Sequence, residues 1–539
     1  MYIATVPNRD SPPALLLRES YRDNGQVKSR TLANLSHWKS ERIQALRLAL
    51  RGEFGTCGVP QCGASFGVLF VLKYLADQLG ITQALGQRVQ ASRALFLVLA
   101  RIAHGGSRLS AVRWAKQHAV EDLLKLKTFD EDDLYAALDW VAAEQANIEQ
   151  RLYQGYVARR GQSPVLVLYD VTSSYFEGSE NELAEFGYNR DGKKGKKQIV
   201  IGLMTAEDGE PLAVRVFAGN SADPSTVATQ IELLKAQFNI EQVVMVGDRG
   251  MIKAKGKQAL NAEGWRYITA LTDAQVRTLL KNKILHPDLF DTPICEVEHQ
   301  GKRLILRRNE AVRYRERQRR EDKLARLTER IDARNAFVKL HPRANPHTGV
   351  KQIQVWINRH KLSAFTALSL DGREIKSAVD QQALDNSALL DGPRPAAGCY
   401  TLETDVSAED MSATSVDQRY RDLQHVERNF RALKTGFLEV RPIFLRKATR
   451  TKGHVFIAML ALKITRVFEA KLHQAFGTTD DNPDALTSEE ALMALSRITY
   501  LHYEENGQST TRLPRPDTLQ ANLFRALGLP FPERVSPTL

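Results

Sequence analysis

Residues 164–271 alternate between short apolar runs and amphipathic segments, and this alternation constrains the fold more than any other feature of the chain. The elements predicted here are, in chain order, a strand at 165–170, a hairpin at 198–219, a helix at 223–238, a strand at 242–248, a helix at 251–263 and a strand at 265–271. Strands interleaved with helices predict an α/β sheet. The hairpin predicts that part of this sheet is antiparallel.

The rest of the chain shows other patterns. Residues 1–55 are predicted to form a hairpin about Asn24-Gly25 followed by a helix, and 56–160 to form helices. After the α/β segment at 161–271, the predicted segments are a strand-rich segment with a basic helix at 272–415, helices at 416–475 and a loosely structured C-terminal tail at 476–539. Within the strand-rich segment, 342–351 is predicted to be a loop because of its prolines and glycine. The helical segment at 56–160 is interpreted either as a DNA-binding domain or as a packing scaffold.

Composition limits the class of protein. The 539 residues are 43% hydrophobic and 26% charged, which argues against a disordered, collagen-like or coiled-coil chain. The 75 Lys and Arg residues exceed the 63 Asp and Glu residues and give a net charge of +12, compatible with a polyanionic partner.

Cysteine usage and hydropathy exclude further classes. Cys57 and Cys62 form a C-x4-C pair, but no second close pair or spaced His pair completes a zinc site. The longest apolar runs, such as 455–462, are far shorter than the roughly 20 residues that a membrane span needs. No secretory signal opens the chain. We therefore expect a soluble protein of a reducing compartment.

Two of the predicted strands end in an acidic residue: Asp170 in LYDVTSSYF and Asp248 in VMVGDRGM. Ligands usually bind at the carboxyl ends of strands in an α/β sheet. Two carboxylates there repel each other, and a divalent cation such as Mg²⁺, which prefers oxygen ligands, relieves the repulsion. A third candidate is Glu427, which we place beside the apolar stripe of a single helix over 416–437. Lys434 lies two turns further on, on the same side.

Three segments resemble a DDE transposase of a bacterial insertion sequence, in the IS-four-like superfamily. They are YDVTSSYFEG at 169–178, VGDRGM at 246–251 and the predicted helix that carries Glu427. This helix resembles the family's Tyr-x2-Arg-x3-Glu-x6-Lys signature at Tyr420, Glu427 and Lys434, with Leu423 at the Arg position. The resemblance spans roughly 160–470.

The resemblance implies a ribonuclease-H-like mixed-sheet catalytic domain, built from 161–271 and 416–475 and interrupted by a β-rich insertion domain at 272–415. It implies that Asp170, Asp248 and Glu427 are catalytic metal ligands for two Mg²⁺ ions, with Mn²⁺ as a substitute. Two-metal chemistry would nick a transposon end and then join its 3′-OH to target DNA.

The resemblance also implies partners and location. We expect double-stranded DNA as the partner, both the terminal inverted repeats and the target. We also expect a homodimer on paired ends, in the bacterial cytoplasm at the nucleoid. Residues expected to contact DNA lie near Glu427 and are Tyr420, Arg421, Arg428, Arg431 and Lys434. For the arginines, a solvated helix face is an equal alternative.

Basic clusters flank the proposed site in sequence: Lys193, Lys194, Lys196 and Lys197, and later Arg441, Arg446, Lys447, Arg450 and Lys452. Together they favour contacts with DNA phosphates. For the Arg-rich helix at 311–337 we favour i, i+4 ion pairs over DNA contact.

Two other functions stay open at this point. One is a ribonuclease-H-like nuclease that cuts without joining. The other is an inactive or domesticated transposase-derived protein that only binds DNA. The absence of a P-loop argues against an ATPase.

Overall fold

The structure is a computed structural model of the whole chain. It describes all residues except 9–11, 53–59, 179, 189–191, 194, 241–242, 250, 287–288, 290–291, 309, 381–398, 435–437, 439, 441–443, 479–481, 483–484, 506–507 and 533–539. Cys57, Lys194, Gly250 and Arg441, which the sequence analysis singled out or quoted, therefore lie outside the described residues.

The first 160 residues begin with a small sheet and continue with helices. Their elements are β1 (Tyr2–Val6), β2 (Ala14–Asp23), β3 (Gln26–Asn34), α1 (Ser40–Leu50), β4 (Gln61–Ser65), α2 (Gly67–Gln78), α3 (Ile81–Leu85), α4 (Val89–Ala103), α5 (Arg108–Ala115), α6 (Val120–Leu124), α7 (Glu131–Ala143) and α8 (Gln145–Arg160). The predicted hairpin is confirmed, with Asp23 opposite Gln26. Asn24 and Gly25 both have positive φ, as a type I′ turn requires. Strand β1 was not predicted, and it pairs with β2.

The central segment follows the predicted order of elements. It contains β5 (Leu166–Tyr175), β6 (Gln198–Ala206), β7 (Pro211–Ala218), α9 (Asp223–Glu232) with a π-helical extension (Leu233–Gln237), β8 (Val244–Gly247), α10 (Ala254–Ala262) and β9 (Arg266–Ala270). Strand β6 is buried along its whole length, which explains its almost continuous apolar sequence.

The rest of the chain adds strands and long helices. Its elements are α11 (Asp273–Lys281), β10 (Ile294–His299), β11 (Lys302–Arg308), α12 (Glu310–Leu340), α13 (Pro346–Arg359), β12 (Thr366–Asp371), β13 (Glu374–Val379), β14 (Cys399–Thr404), α14 (Ala413–Arg421), α15 (Leu423–Lys434), α16 (Ala448–Phe476), α17 (Ser488–Ser496), β15 (Thr499–Glu505), β16 (Gln508–Arg512) and α18 (Thr518–Leu527).

The large sheet has the order β10-β11-β14-β9-β8-β5-β6-β7. Strands β5, β8 and β9 run parallel, while β6 and β7 complete an antiparallel meander with β5. The five strands from β5 to β9 thus lie in the spatial order third, second, first, fourth, fifth. This confirms the ribonuclease-H-like mixed sheet.

The insertion differs from its prediction in how its strands are used. Strands β10, β11 and β14 extend the large sheet, because β14 pairs with β9; only β12 and β13 form a separate hairpin. The predicted loop at 342–351 is wrong: α13 begins there, with the Asn345 side chain capping its first turn and Pro346 at its first position.

By contact, the chain divides into two compact units. One consists of Met1–Val71, Arg113–Leu123 and Ala470–Leu539, and the other of Leu72–Val112 and Leu124–Glu469. The predicted loose tail is corrected, because α17, β15, β16 and α18 are formed there and β15 also pairs with β4. The large sheet and all candidate site residues belong to the second unit.

Among the described helices, none alone has the length and hydropathy to cross a membrane. Only α4 and α5 taken together meet those criteria, and they are bent by 94° relative to each other.

Candidate active site

Asp170 and Asp248 occupy adjacent positions at one edge of the large sheet. Strands β5 and β8 are parallel neighbours, and Tyr169 lies opposite Gly247. Each aspartate is the next residue in its chain segment. The predicted proximity of the two residues is therefore a consequence of strand register.

The sequence predicts that this strand ends at Asp170, but β5 continues to Tyr175. The reason is its antiparallel pairing with β6, which places Asp170 opposite Leu203. On the other side of β5, the pairing with β8 stops at Tyr169. Asp170 is thus the first residue of β5 that is no longer paired with β8. Its Oδ1 accepts a hydrogen bond from the backbone N–H of Val171 at 2.7 Å.

Asp248 has a partner that the sequence did not reveal. The Tyr420 hydroxyl donates a hydrogen bond to Asp248 Oδ1 at 3.0 Å. Burial, and then the negative charge of Asp248, raise the pKa of Tyr420, so the hydroxyl keeps its proton. In this structure, the hydroxyl that is predicted to contact a DNA phosphate donates to a carboxylate of the candidate site, and Asp248 itself stays exposed.

Tyr420 and Glu427 do not share one helix, which corrects the single helix predicted over 416–437. Helix α14 ends at Arg421 and α15 begins at Leu423. Asp422, between them, accepts hydrogen bonds from Gln418 and Arg419, both at 3.2 Å. The break gives the Tyr420 side chain a direction that helical spacing from Glu427 does not predict.

Helix α15 packs against β5 through the predicted apolar stripe. Leu423, Val426, Phe430 and Leu433 are buried. Glu427 is exposed beside this stripe, as predicted. Helix α15, the helix of Glu427, therefore lies against β5, the strand of Asp170. The Glu427 carboxylate is exposed to solvent.

A polar cluster fixes α15 to the turn between β6 and β7. The buried Asn429 side chain donates to the Gly209 carbonyl at 2.9 Å and accepts from Arg466 at 2.9 Å. Arg466 also donates to the Asp208 carbonyl at 2.9 Å. Lys463 donates to Glu210 Oε1 at 2.6 Å. We call these residues the turn clamp (Asp208, Gly209, Glu210, Asn429, Lys463 and Arg466).

The turn clamp leaves little room for change. A Cβ on Gly209 would lie 2.7 Å from the His425 side chain, and Gly209 has a positive φ of 81°. Burial acts to raise the pKa of Glu210, but Lys463 and Arg159 outweigh it and lower that pKa below its usual range. Burial lowers the pKa of Lys463. Within the clamp, Glu210 and Lys463 form a charged, hydrogen-bonded pair that sequence patterns did not predict.

The five residues expected to contact DNA separate into two groups. Tyr420 and Arg421 have internal partners, since Arg421 pairs with the buried Asp417 at 2.8 Å. Arg428 and Arg431 are exposed on α15, and Lys434 is partly exposed at its end. Arg428, Arg431 and Lys434 lie on the helix of Glu427, and Arg421, on α14, is exposed as well.

The flanking basic clusters are partly neutralised. Lys196 pairs with Glu177 at 2.7 Å, and Arg450 pairs with Asp139 at 3.1 Å. Lys193 lies 5.8 Å from the centre of the Tyr175 ring. These cations have partners inside the folded chain, which weakens the sequence argument that both clusters are free to hold phosphates.

Carboxylates are the ligand type that Mg²⁺ prefers, and the sheet places two of the three candidates side by side. Within the described part of the chain, however, no three His, Cys, Asp or Glu side chains are already arranged to hold a metal ion. All three residues fit a divalent cation in kind, and Asp170 and Asp248 also fit it in backbone placement.

Comparisons with known proteins give two family matches. The model of the transposase DDE domain matches residues 161–464, which is more than half of the chain. The model of the N-terminal domain of the IS1634 family of transposases matches residues 3–57. No match was found among curated proteins.

Two of the solved structures that match are distant in sequence. A piggyBac transposase synaptic complex with hairpin DNA is 10% identical, with a TM-score of 0.35, over 80% of this chain and 76% of the other. A Mos1 transposase paired-end complex with the left transposon end is 11% identical, with a TM-score of 0.15, over 34% of this chain and 59% of the other. Similarity at this level supports no finer conclusion.

Proposed function

This chain belongs to the DDE transposase family, and from that premise we propose that Asp170, Asp248 and Glu427 are its catalytic carboxylates. The reaction we propose is cleavage of DNA at the ends of an insertion sequence, followed by strand transfer of the freed 3′-OH into target DNA. The observation that carries the proposal is the register of β5 and β8, which makes Asp170 and Asp248 neighbours at an open sheet edge. Helix α15, which carries Glu427, packs against β5, the strand of Asp170.

Membership of the family implies dependence on a divalent metal. We assign Mg²⁺, with Mn²⁺ as a substitute, because all three proposed ligands are carboxylates. Bound at these residues, two such ions would make a water or a 3′-OH a better nucleophile and stabilise the leaving oxygen.

The protein's own part in this chemistry is to hold and orient. The Val171 N–H fixes Asp170, and the Tyr420 hydroxyl fixes Asp248. The turn clamp fixes the helix of Glu427. Such positioning supplies much of the catalysis in phosphoryl transfer. Arg428, Arg431 and Lys434 would bind the phosphates near the cleaved end.

The partners and layout that we propose follow from this reaction. Terminal inverted repeats and target DNA are the substrates, and two copies of the chain hold two ends. The protein acts at the bacterial nucleoid. The domain boundaries proposed are 1–55, 56–160, 161–271, 272–415, 416–475 and 476–539, with the third and fifth segments forming the catalytic domain.

Single neutral substitutions test the assignment. Asp170→Asn, Asp248→Asn and Glu427→Gln should each abolish Mg²⁺-dependent cleavage of inverted-repeat DNA while leaving DNA affinity unchanged. Glu374→Gln, at an exposed position of β13, is the matched control and should cleave normally. Normal cleavage by one of the three variants would remove that residue from the site.

Joining is tested separately with a supplied 3′-OH end and a plasmid target. Joined products from the wild-type protein support a transposase. Cleavage without any joined product would favour a nuclease. Binding without either reaction would favour an inactive copy.

A further inference from the structure

Residues 310–380 form a small module with a core of its own. Helices α12 and α13 pack together and against the β12–β13 hairpin. The buried apolar residues of this core are Leu327, Ile331, Ile353, Ile357, Leu362 and Ile375. Asn335 on α12 exchanges two hydrogen bonds with the backbone of Ile375, at 2.8 and 2.9 Å. The relative position of the two helices and the hairpin is therefore fixed by packing and by hydrogen bonds.

The module leaves the large sheet at the edge where the aspartates lie. Strand β14 runs antiparallel to β9, with Leu402 opposite Ala270, the last residue of β9. Strand β11 ends at Arg308, opposite Cys399 at the start of β14. Because β9 is parallel to β8, the ends of β11 and β14 that flank the module lie on the carboxyl side of β8. Asp248 follows β8 on that same side.

Cations line one stripe of this module without acidic partners. Lys323, Arg326 and Arg330 recur on α12 at i, i+3 and i+7, and so share one face. Arg359 ends α13. Among the described residues, no acid lies within ion-pair distance of these four cations. We call Lys323, Arg326, Arg330 and Arg359 the basic row.

The basic row is held together at close range. The Arg330 guanidinium lies 5.4 Å from the centre of the Trp356 ring. Lys323 Nζ donates to the His360 carbonyl at 3.4 Å. Burial, and then the charges of Lys323, Arg359, Arg330 and Arg326, lower the pKa of His360. The i, i+4 ion pairs that we favoured for this helix do not form at these positions.

We propose that the basic row binds the phosphate backbone of the target DNA duplex during strand transfer, an inference that rests on the proposed function. Like charges that share one face without acidic partners repel each other, and a polyanion relieves this repulsion. Contacts between charged side chains and phosphates position a duplex without reading its sequence. Contacts that do not depend on sequence are those that target DNA requires, whereas the terminal repeats must be recognised through their bases. The module leaves the large sheet on the same side as Asp248, which is the side where we place the reacting end.

The test separates joining from cleavage. The variant Lys323→Gln/Arg326→Gln/Arg330→Gln should reduce strand transfer of pre-cleaved ends into a plasmid by on the order of tenfold or more, because phosphate contacts supply most nonspecific affinity. Cleavage of uncut inverted-repeat ends should stay within about twofold of wild type. Because three phosphate contacts are lost, the slope of log affinity for random-sequence duplex against log salt concentration should be shallower by up to about 3. Lys339→Gln, which removes one positive charge from the opposite side of α12, is the control. Thermal unfolding checks that the variants are folded.

Two results would overturn the proposal. Strand transfer and cleavage that fall together would assign the basic row to the transposon end. Unchanged transfer and an unchanged salt slope would make it a solvated face. A wild-type protein that neither cleaves nor joins would contradict the proposed function instead, and the affinity of the triple variant for random duplex would still decide whether the basic row binds DNA.

Discussion

The sheet edge and the module at 310–380 use charge in opposite ways. Around the candidate site, charged and polar groups have internal partners: Asp248 with Tyr420 and Arg421 with Asp417 near the edge, and Glu210 with Lys463 at the β6–β7 turn. In the module, the basic row faces solvent without acids among the described residues. Internal pairing fixes geometry, whereas unpaired like charge is available to an external polyanion. Under the two proposals above, the first arrangement holds the candidate catalytic residues and the second binds DNA.

The largest effect should come from breaking a pair at the turn clamp. Lys463→Met leaves the carboxylate of Glu210 buried with one cation fewer, and such a loss typically costs about 3 kcal/mol or more. Chemical denaturation should show a free energy of unfolding reduced by about that amount. The double variant Lys463→Met/Glu210→Gln should recover part of it. A single variant as stable as wild type would show that the clamp does not hold the fold.

A smaller effect is expected at Tyr420. Tyr420→Phe removes the hydrogen bond to Asp248, and partners of metal ligands typically contribute 10- to 100-fold to activity or metal affinity. Cleavage should slow by about tenfold and need more Mg²⁺ for half-maximal rate, with DNA affinity unchanged. An equal loss in DNA affinity would assign the hydroxyl to a phosphate instead.

Acid should weaken the turn clamp in a defined direction. Because the folded-state pKa of Glu210 lies below its ordinary value of 4.5, its contribution to stability is complete above about pH 4.5 and is lost as the pH falls below that. Unfolding experiments across this range should show a smaller pH dependence for Glu210→Gln than for wild type. Identical profiles would mean that Glu210 is not ionically linked to folding.

The smallest effect on stability should come from the basic row. Arg326 is exposed, so Arg326→Gln should change the free energy of unfolding by no more than about 0.5 kcal/mol. Thermal or chemical unfolding measures this directly. A loss of several kcal/mol would show that this cation supports the fold, which would erase the contrast with the sheet edge.

The local parts of this structure were predictable from sequence. The hairpin at Asn24-Gly25, the strand before Asp248 and the apolar stripe of α15 follow from turn chemistry and periodicity, which act over a few residues. The family signature then pointed to Asp170, Asp248 and Glu427 as a set.

Features that depend on distant partners were not predictable. Strand β5 continues past Asp170 because β6 pairs with it, and β14 joins the large sheet because β9 accepts it. Tyr420 and Asp248 meet across 172 residues of sequence. The helix α13 was missed for a local reason, since Asn345-Pro346 was interpreted as a loop although it also suits a helix start.

Anomalous diffraction from crystals soaked in Mn²⁺ shows directly whether Asp170, Asp248 and Glu427 bind metal ions together. We predict metal peaks about 2 Å from carboxylate oxygens of these three residues, with two ions spaced about 4 Å apart when a DNA end is bound. Metal bound elsewhere, or a site that excludes one of these three carboxylates, would contradict it.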